Sequence, residues 1–396
     1  MRTLSLLACV VALGSASGAK AESPRHVVLT VSPSDALIDV PVEIRVSGLA
    51  PGKRVALQAV TKDVQGRTWR SRVTYRATST GRVDTSRNMR VFWSMSPADG
   101  KRVNSSSFIP PFAGRASISV LVGGRAAATA TVTRRLAAPG LVTRDYSLGD
   151  AGFVGTLWEV PSTTPRPAVL ALGGSAGGHG ALHDPLFASH GYPTLALGYF
   201  REPGLPAHLQ NIPLEYFANA LRWLGAQPGV DPNRIAVVGL SRGAEVALIL
   251  AATYPDLIDG VFACTTGAQV LAGLPSGAAW TLDGNPIPLG ELPVTKIKAP
   301  VVITGGGKDE VIESAIAART LAAAARANGQ TNVVARVYPN AGHGVGCRVP
   351  NLPIPAEFQI SPTTTEEVGG TPAANAEAAS SAWPILLRFL AALPAR

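Results

Sequence analysis

The chain has 396 residues, 41 of them glycine and 32 proline, with 46% hydrophobic residues and 35 Lys/Arg against 26 Asp/Glu, a formal charge of +9. That composition excludes a disordered polyelectrolyte and a collagen-like repeat, and three cysteines in so long a chain exclude a disulfide-dense miniprotein. The positive charge comes with no nucleic-acid-binding motif, and beyond the N-terminal segment no stretch is long and apolar enough to cross a membrane as a helix.

Residues 1–21 carry Arg2, an apolar run from Leu4 to Leu13, and then Ala19-Lys20-Ala21. This is the pattern of a secretory signal peptide with an A-x-A cleavage site, too short to serve as a finished transmembrane helix. Leu6-Leu7-Ala8-Cys9 faintly resembles a lipoprotein box, but the apolar run continues past Cys9, which argues against it. The mature protein is expected to be soluble and exported, to a bacterial periplasm or beyond, with no stable membrane insertion.

Charge is unevenly shared along the mature chain. From Glu22 to Gly140 there are 18 Lys/Arg and 7 Asp/Glu, a net of +11; from Leu141 to Arg396 there are 15 and 19, a net of −4. A basic half can attract an anionic substrate or surface, but an ordinary solvated arginine-rich face is the favoured account.

Between His26 and Val132 the chain reads as all-β. His26–Val31, Val42–Val46, Val55–Val60 and Ala116–Val122 alternate or run β-branched. Turn signals at Pro33-Ser34-Asp35, Ala50-Pro51-Gly52, Asp63–Gly66 and Gly123-Gly124 separate them. Short strands at this spacing predict an immunoglobulin-like β-sandwich over residues 22–138. The segment Arg134–Asp150 reads as a linker into a second domain, residues 139–396.

That second domain alternates strands with helices, which predicts a mostly parallel sheet covered on both faces. Leu157–Val160 and Ala168–Leu172 read as strands, and the latter runs into Gly173-Gly-Ser-Ala-Gly-Gly-His-Gly. This glycine-rich loop lacks the ordered phosphate-binding patterns. In an α/β-hydrolase it supplies the second oxyanion-hole amide, here from Gly174 or Ser175. Gly191–Tyr199 reads as a further strand and Leu214–Gln227 as an amphipathic helix, after which Asp231-Pro232-Asn233 turns the chain.

Arg234-Ile-Ala-Val-Val-Gly-Leu-Ser-Arg-Gly-Ala-Glu-Val-Ala-Leu-Ile-Leu then gives a β-branched run, Gly239-Leu-Ser241-Arg-Gly243, and an apolar helical run. Strand, sharp turn and helix around G-x-S-x-G define a nucleophile elbow. Both glycines are required where backbone packs on backbone. Ser241 is the predicted nucleophile, and the amide of Arg242 at the helix start is the predicted first oxyanion donor. Strands at Gly260–Cys264 and Pro300–Thr304 follow, with Gln269–Leu292 (rich in Gly, Pro and Leu, and holding Trp280) between them as a lid.

The order Ser, Asp, His along the chain is completed by Asp309, in the loop after the strand at Pro300, and by His343, after a strand at Asn332–Tyr338. His343 would take the proton of Ser241, and Asp309 would hold its imidazole. Glu310 is the rival acid. His179 and His183 fall near the oxyanion loop and are candidates for lining a pocket; His190 and His208 read as satisfied structural histidines. His179 and His183 lack supporting ligands at metal-binding spacing, so neither a metal nor a cofactor is expected. Cys264 and Cys347 both fall at the predicted carboxyl edge of the sheet. They form either a disulfide pinning the His343 loop or two separate buried thiols.

These residues resemble the family of acyl-CoA thioesterases and bile acid-CoA:amino acid N-acyltransferases over nearly the whole mature length. In the first domain the resemblance rests on Pro33-Ser-Asp-Ala-Leu-Ile-Asp-Val-Pro-Val, Ser47-Gly-Leu-Ala-Pro-Gly and Val91-Phe-Trp-Ser-Met. In the second it rests on Gly239-Leu-Ser-Arg-Gly, Ala279-Trp-Thr-Leu-Asp-Gly-Asn-Pro-Ile-Pro, Ala341-Gly-His, Gly369-Gly-Thr-Pro and Ala382-Trp383. It implies a β-sandwich joined to an α/β-hydrolase domain, a Cys or Ser nucleophile with Asp and His (here Ser241, Asp309 and His343), and acyl transfer from a small-molecule thioester or ester to water or an amine. Dienelactone-hydrolase-like or general carboxylesterase chemistry is the alternative resting on the second domain alone. A non-enzymatic exported binding module is a further one, which the three occupied triad positions disfavour.

Overall fold

The computed structural model describes residues 26–85, 89–100, 108–361 and 364–395; the expected signal peptide lies outside them. In the first part of the chain a six-stranded sheet has the order Asp35–Leu37, Arg125–Arg135, Ala113–Val122, Arg54–Lys62, Thr68–Arg76, Ser96–Pro97. A three-stranded sheet of Val28–Ser32, Glu43–Ser47 and Val83–Asp84 shares one apolar cluster with it, Ile44 and Val46 meeting Leu57, Ile118 and Val120. Alternation along each strand explains the sandwich: Val55, Leu57 and Ala59 point inward while Arg54 and Lys62 stay in solvent.

The second part is built on an eight-stranded sheet in the order Val142–Tyr146, Val154–Glu159, Thr194–Gly198, Arg166–Leu172, Val230–Leu240, Gly260–Cys264, Val301–Gly306, Val333–Tyr338. The first two strands are antiparallel to their neighbours and the rest run parallel. Successive residues of the central strands feed two different apolar layers. Leu170, Leu172 and Val237 pack with Phe217, Val246 and Leu321 from helices on one face. Val169, Ala171, Val238 and Phe262 pack with Phe187, Trp383 and Leu386 on the other. Burial on both faces is why these strands read as unbroken Val/Ile/Leu/Ala runs. Among the described residues no helix is long and apolar enough to cross a membrane.

One expectation is corrected and two are sharpened. The segment Arg134–Asp150 is no simple linker, because Val142–Tyr146 forms the sheet's antiparallel edge and Tyr146 packs on Phe153 and Trp223. Its polar Arg144-Asp145 pair masks a half-buried edge strand. Asp231-Pro232-Asn233 turns the chain as expected, Asn233 N–H donating to Asp231 Oδ1 at 3.0 Å, but it does so as an excursion within the ladder: Val230 already pairs with Arg166 before Ile235 meets Ala168. The stretch Gln269–Leu292, expected as a lid, is anchored at its centre. Its Trp280–Leu282 strand pairs with Ile212–Pro213, and Trp280 is fully buried.

The two parts share the apolar layer around Trp383 and are also tied by polar groups. Buried Asp39 lies 2.6 Å from His190 Nε2 and accepts a 2.7 Å hydrogen bond from Trp383 Nε1. Asn351 Nδ2 donates to the carbonyls of Ile38 and Asp39. His190 is thus a structural histidine, as its sequence context suggests, and His208 is exposed.

Candidate active site

Ser241 sits between the strand Val230–Leu240 and the helix Arg242–Thr253 with φ 56° and ψ −115°, a backbone region that side-chain-bearing residues rarely enter. Such a conformation costs on the order of 1–3 kcal/mol and persists only where its surroundings impose it. Here they do. A Cβ at Gly239 would strike the Gly243 carbonyl, and one at Gly243 would strike the carbonyls of Leu172 and Gly173. The Ser241 N–H donates to Cys264 O at 2.8 Å, fixing the turn to the next strand.

The glycine-rich loop closes against this turn. A Cβ on Gly174 would stand 3.3 Å from Ser241 Cβ and 3.9 Å from its Oγ, so the backbone of Gly174 lies against the nucleophile position. Ser175 is exposed. Tyr199 Oη donates to Gly173 O at 2.6 Å, and burial raises the phenol above its ordinary pKa, keeping it a donor. The amide of Arg242 opens the helix, while its side chain turns back into the protein. Its Nη2 donates to Leu271 O at 3.1 Å, its Nε lies 3.3 Å from Glu245 Oε2, and the guanidinium stacks over Trp280. Glu245 in turn accepts from Trp280 Nε1 at 2.7 Å and Leu271 N–H at 3.2 Å. Burial raises the Glu245 carboxyl despite the opposing arginine and donors. Sequence reading missed this anchor, although a lone glutamate in the apolar run after Gly243, three residues from an arginine, is a legible sign of a buried ion pair.

His343 lies on the loop after Val333–Tyr338. Its Nδ1 is 2.9 Å from Asp309 Oδ2 and 3.2 Å from Oδ1. The Asp309 side chain is 1% exposed and that of His343 10%. Asp309 also accepts from Ser314 Oγ at 2.5 Å and from the amides of Val311 and Ile312 at 3.0 and 3.1 Å. Burial alone would raise this carboxyl, but its bond to His343, that residue's charge, and the bonds from Ser314 and Ile312 hold it below the ordinary carboxylate value. The neighbouring Glu310 is exposed and faces a groove lined by Lys308, Asn340 and Glu357.

The histidine loop is tied to the serine turn through one strand end. Cys264, whose carbonyl receives the Ser241 amide, is disulfide-bonded to Cys347 with a Cα–Cα distance of 5.9 Å. The next residue, Thr265, accepts the Gly344 N–H at 3.0 Å. Of the two cysteine arrangements open from sequence, the structure has the disulfide.

His179 and His183 line a recess behind the glycine-rich loop, together with Leu172, Gly173 and Leu240. Each has its own partners: His179 Nδ1 lies 2.6 Å from Glu202 Oε1 and its Nε2 3.1 Å from Thr156 Oγ1. His183 Nδ1 lies 3.1 Å from Cys347 O and its Nε2 3.3 Å from Asp184 Oδ1.

Two family models match the chain. One, described as the acyl-CoA thioester hydrolase/BAAT N-terminal region, matches residues 39–146, and that of the dienelactone hydrolase family matches residues 210–393. Acyl-coenzyme A amino acid N-acyltransferase 1 of Mus musculus is 28% identical over 361 residues, spanning 80% of this chain and 85% of its own. The bile acid-CoA:amino acid N-acyltransferase of Mus musculus is 27% identical, spanning 91% and 96%. Acyl-coenzyme A thioesterase 6 of Mus musculus is 28% identical, spanning 89% and 93%. Among solved structures, a dienelactone hydrolase-like promiscuous phosphotriesterase from metagenomic libraries aligns with 64% of this chain and 99% of its own, at 18% identity and a TM-score of 0.45. The resemblance carried by the sequence motifs therefore stands: the chain is similar to the acyl-CoA thioesterases and bile acid-CoA:amino acid N-acyltransferases, and it matches a thioester-hydrolase/BAAT N-terminal region ahead of a dienelactone-hydrolase region.

Proposed function

We propose that the protein is a serine hydrolase of acyl thioesters in which Ser241 is the nucleophile, His343 its general base and Asp309 the carboxylate that orients the base. One observation carries this reading. A serine held at φ 56° on a glycine-flanked turn shares a strand end with a histidine whose Nδ1 lies 2.9 Å from a buried carboxylate. With Nδ1–H donating to Asp309, Nε2 is left as the proton acceptor. Ser241 Oγ attacks the acyl carbonyl carbon and gives its proton to His343. The oxyanion is received by the amides of Arg242 and Gly174, each such donor being worth roughly 10²–10³ in rate. The C–S bond breaks, the thiolate leaves with the proton from His343, and an oxyester acyl-enzyme remains. Water, deprotonated by the same imidazole, releases the acid and restores the serine.

The nucleophile supports water over an amine as acceptor. A serine acyl-enzyme is an oxyester, more resonance-stabilised than a thioester and less biased towards amines. Transfer to an amine is the second reading, motivated by the N-acyltransferases among the relatives. Product analysis by mass spectrometry, at fixed acyl donor and rising glycine or taurine, separates the two. Mostly free acid is expected from the wild type and a higher amide-to-acid ratio from Ser241→Cys. Predominant amide from the wild type overturns the hydrolase reading. Matched oxyesters and CoA thioesters of increasing chain length identify the leaving group and set thioesterase against carboxylesterase.

Export is a separate proposal, and it counts against acyl-CoA as the natural substrate, because CoA is not an expected periplasmic metabolite. The A-x-A site ends at Ala21, and the buried Cys264–Cys347 disulfide suits an oxidising compartment. A secreted or periplasmic product beginning at Glu22 is expected; an unprocessed cytosolic chain contradicts it.

A further inference from the structure

The outer face of the six-stranded sheet carries a charge pattern that the reaction does not use. Arg54 and Lys62 project from Arg54–Lys62, Arg70, Arg72 and Arg76 from Thr68–Arg76, and Arg115 from Ala113–Val122, all exposed. Strand register places them on one surface. Arg54 pairs with Arg76, Gln58 with Arg72, Val60 with Arg70, and Arg115 with Thr133. Small hydroxyl side chains fill the rows between, Ser117 opposite Thr131 and Ser119 opposite Thr129. The four central strands of this sheet, Arg54–Lys62, Thr68–Arg76, Ala113–Val122 and Arg125–Arg135, contain no Asp or Glu. None of the six cations forms an ion pair with a described residue. Directly opposed like charges such as Arg54 and Arg76 are mildly unfavourable, and a bound anion relieves that repulsion.

We propose that this face adsorbs the protein onto an anionic phospholipid surface. The shape and chemistry of the face favour that occupant. A broad sheet surface matches a plane of phosphates, which guanidinium groups bind bidentately and hydroxyls support. Among the described residues its four central strands offer no helix to enter a DNA groove and no exposed aromatic ring on which the bases of a single strand would stack. The exposed large apolar side chains near it among the described residues, Val64, Ile109 and Phe112, stand at the sheet's end and not among the arginines, so attachment through the charged face is electrostatic and reversible by salt. The hydrolase half bears a net charge of only −4 over Leu141–Arg396, and its groove lined by Glu310, Glu357, Glu367 and Glu377 is a concavity that a broad sheet face does not fill, a weak match for a second copy of the chain.

The test is sedimentation of the intact mature protein with vesicles, a readout independent of turnover. The protein should partition onto vesicles of mixed phosphatidylglycerol and phosphatidylcholine at low salt, leave them as salt rises, and ignore phosphatidylcholine alone. Arg70→Gln, Arg72→Gln and Arg76→Gln combined should weaken partitioning about 100-fold. Arg319→Gln, Arg326→Gln and Arg336→Gln combined, with the same change in net charge at exposed positions elsewhere, should change it less than about three-fold. Absence of binding to the anionic vesicles, or equal losses from the two triple variants, overturns the proposal. So does displacement from the vesicles by duplex DNA at equivalent phosphate, which would make the face a general polyanion binder, and so does self-association that the first triple variant abolishes.

Discussion

Ser241 stands on a turn shaped by its immediate neighbours, with Gly239 and Gly243 two residues away on either side admitting the backbones that force its positive φ. His343 stands on a loop whose supports come from far along the chain. Its own amide donates to Val368 O, Gly342 N–H donates to Asn375 Oδ1, Thr304 Oγ1 donates to Val345 O, and a disulfide reaches Cys264. One half of the site is announced by adjacent residues, although Gly243 also packs on Leu172 and Gly173 and the Ser241 amide on Cys264, and the other is assembled almost wholly from distant ones. Perturbations should therefore act differently on the two: the turn fails by collision, the loop by loosening.

The largest effects are expected at the reacting groups. Ser241→Ala and His343→Ala should each lower kcat by on the order of 10³ or more with the fold intact by circular dichroism. Asp309→Asn should cost less, about 10², because the histidine keeps its place but loses the carboxylate that fixes its tautomer. Glu310→Gln, an exposed change, should stay within about two-fold. A Glu310 effect larger than that of Asp309 would reverse the assignment of the acid.

The disulfide tests the loop directly. Its cysteines are 83 residues apart, for which loop-closure entropy gives an upper value of about 4–5 kcal/mol. Joint replacement, Cys264→Ala with Cys347→Ala, should lower denaturant stability by a few kcal/mol, about half that value or more. It should lower kcat about ten-fold through the loosened base, with KM little changed. Full kcat after replacement would mean that Thr265, Thr304 and Val368 hold the loop without it.

The smallest effect is expected in the recess behind the glycine-rich loop. Burial pushes His183 down to about 4, against the Cys347 carbonyl that favours its proton, so the folded ring is neutral where the unfolded one is charged. His183 therefore costs stability as pH falls from the ordinary histidine value towards about 4. Burial pushes Asp184 up to about 7, so this carboxyl costs stability as pH rises from the ordinary carboxylate value towards about 7. The slopes oppose, and the wild type should be nearly flat between them. Asp184→Asn should leave the histidine slope alone, with stability climbing as pH rises from about 4 to the ordinary histidine value. A flat curve for that variant, measured by urea unfolding, would remove the pair from the account.

What the sequence makes legible follows the same division. The elbow, the strands that feed both apolar layers and the Ser-Asp-His order are local patterns and are readable in advance. Thr265 and Gly344, 79 residues apart, carry no mutual signal in one sequence, so the support of the histidine loop is not readable. The edge strand Val142–Tyr146 is hidden because only its half-buried ends look apolar. The stretch around Trp280 reads as a lid because its glycines and prolines are visible, while the buried Glu245 carboxylate that receives the indole N–H is not.

Covalent capture tests most directly whether the two differently built halves meet at one serine. A fluorophosphonate should modify the protein once, on the peptide holding Ser241, and His343→Ala should slow that labelling at least 100-fold, on the order expected for loss of the general base. An adduct on another residue, or labelling of Ser241 at an undiminished rate in the histidine variant, would contradict the proposed pairing of Ser241 with His343.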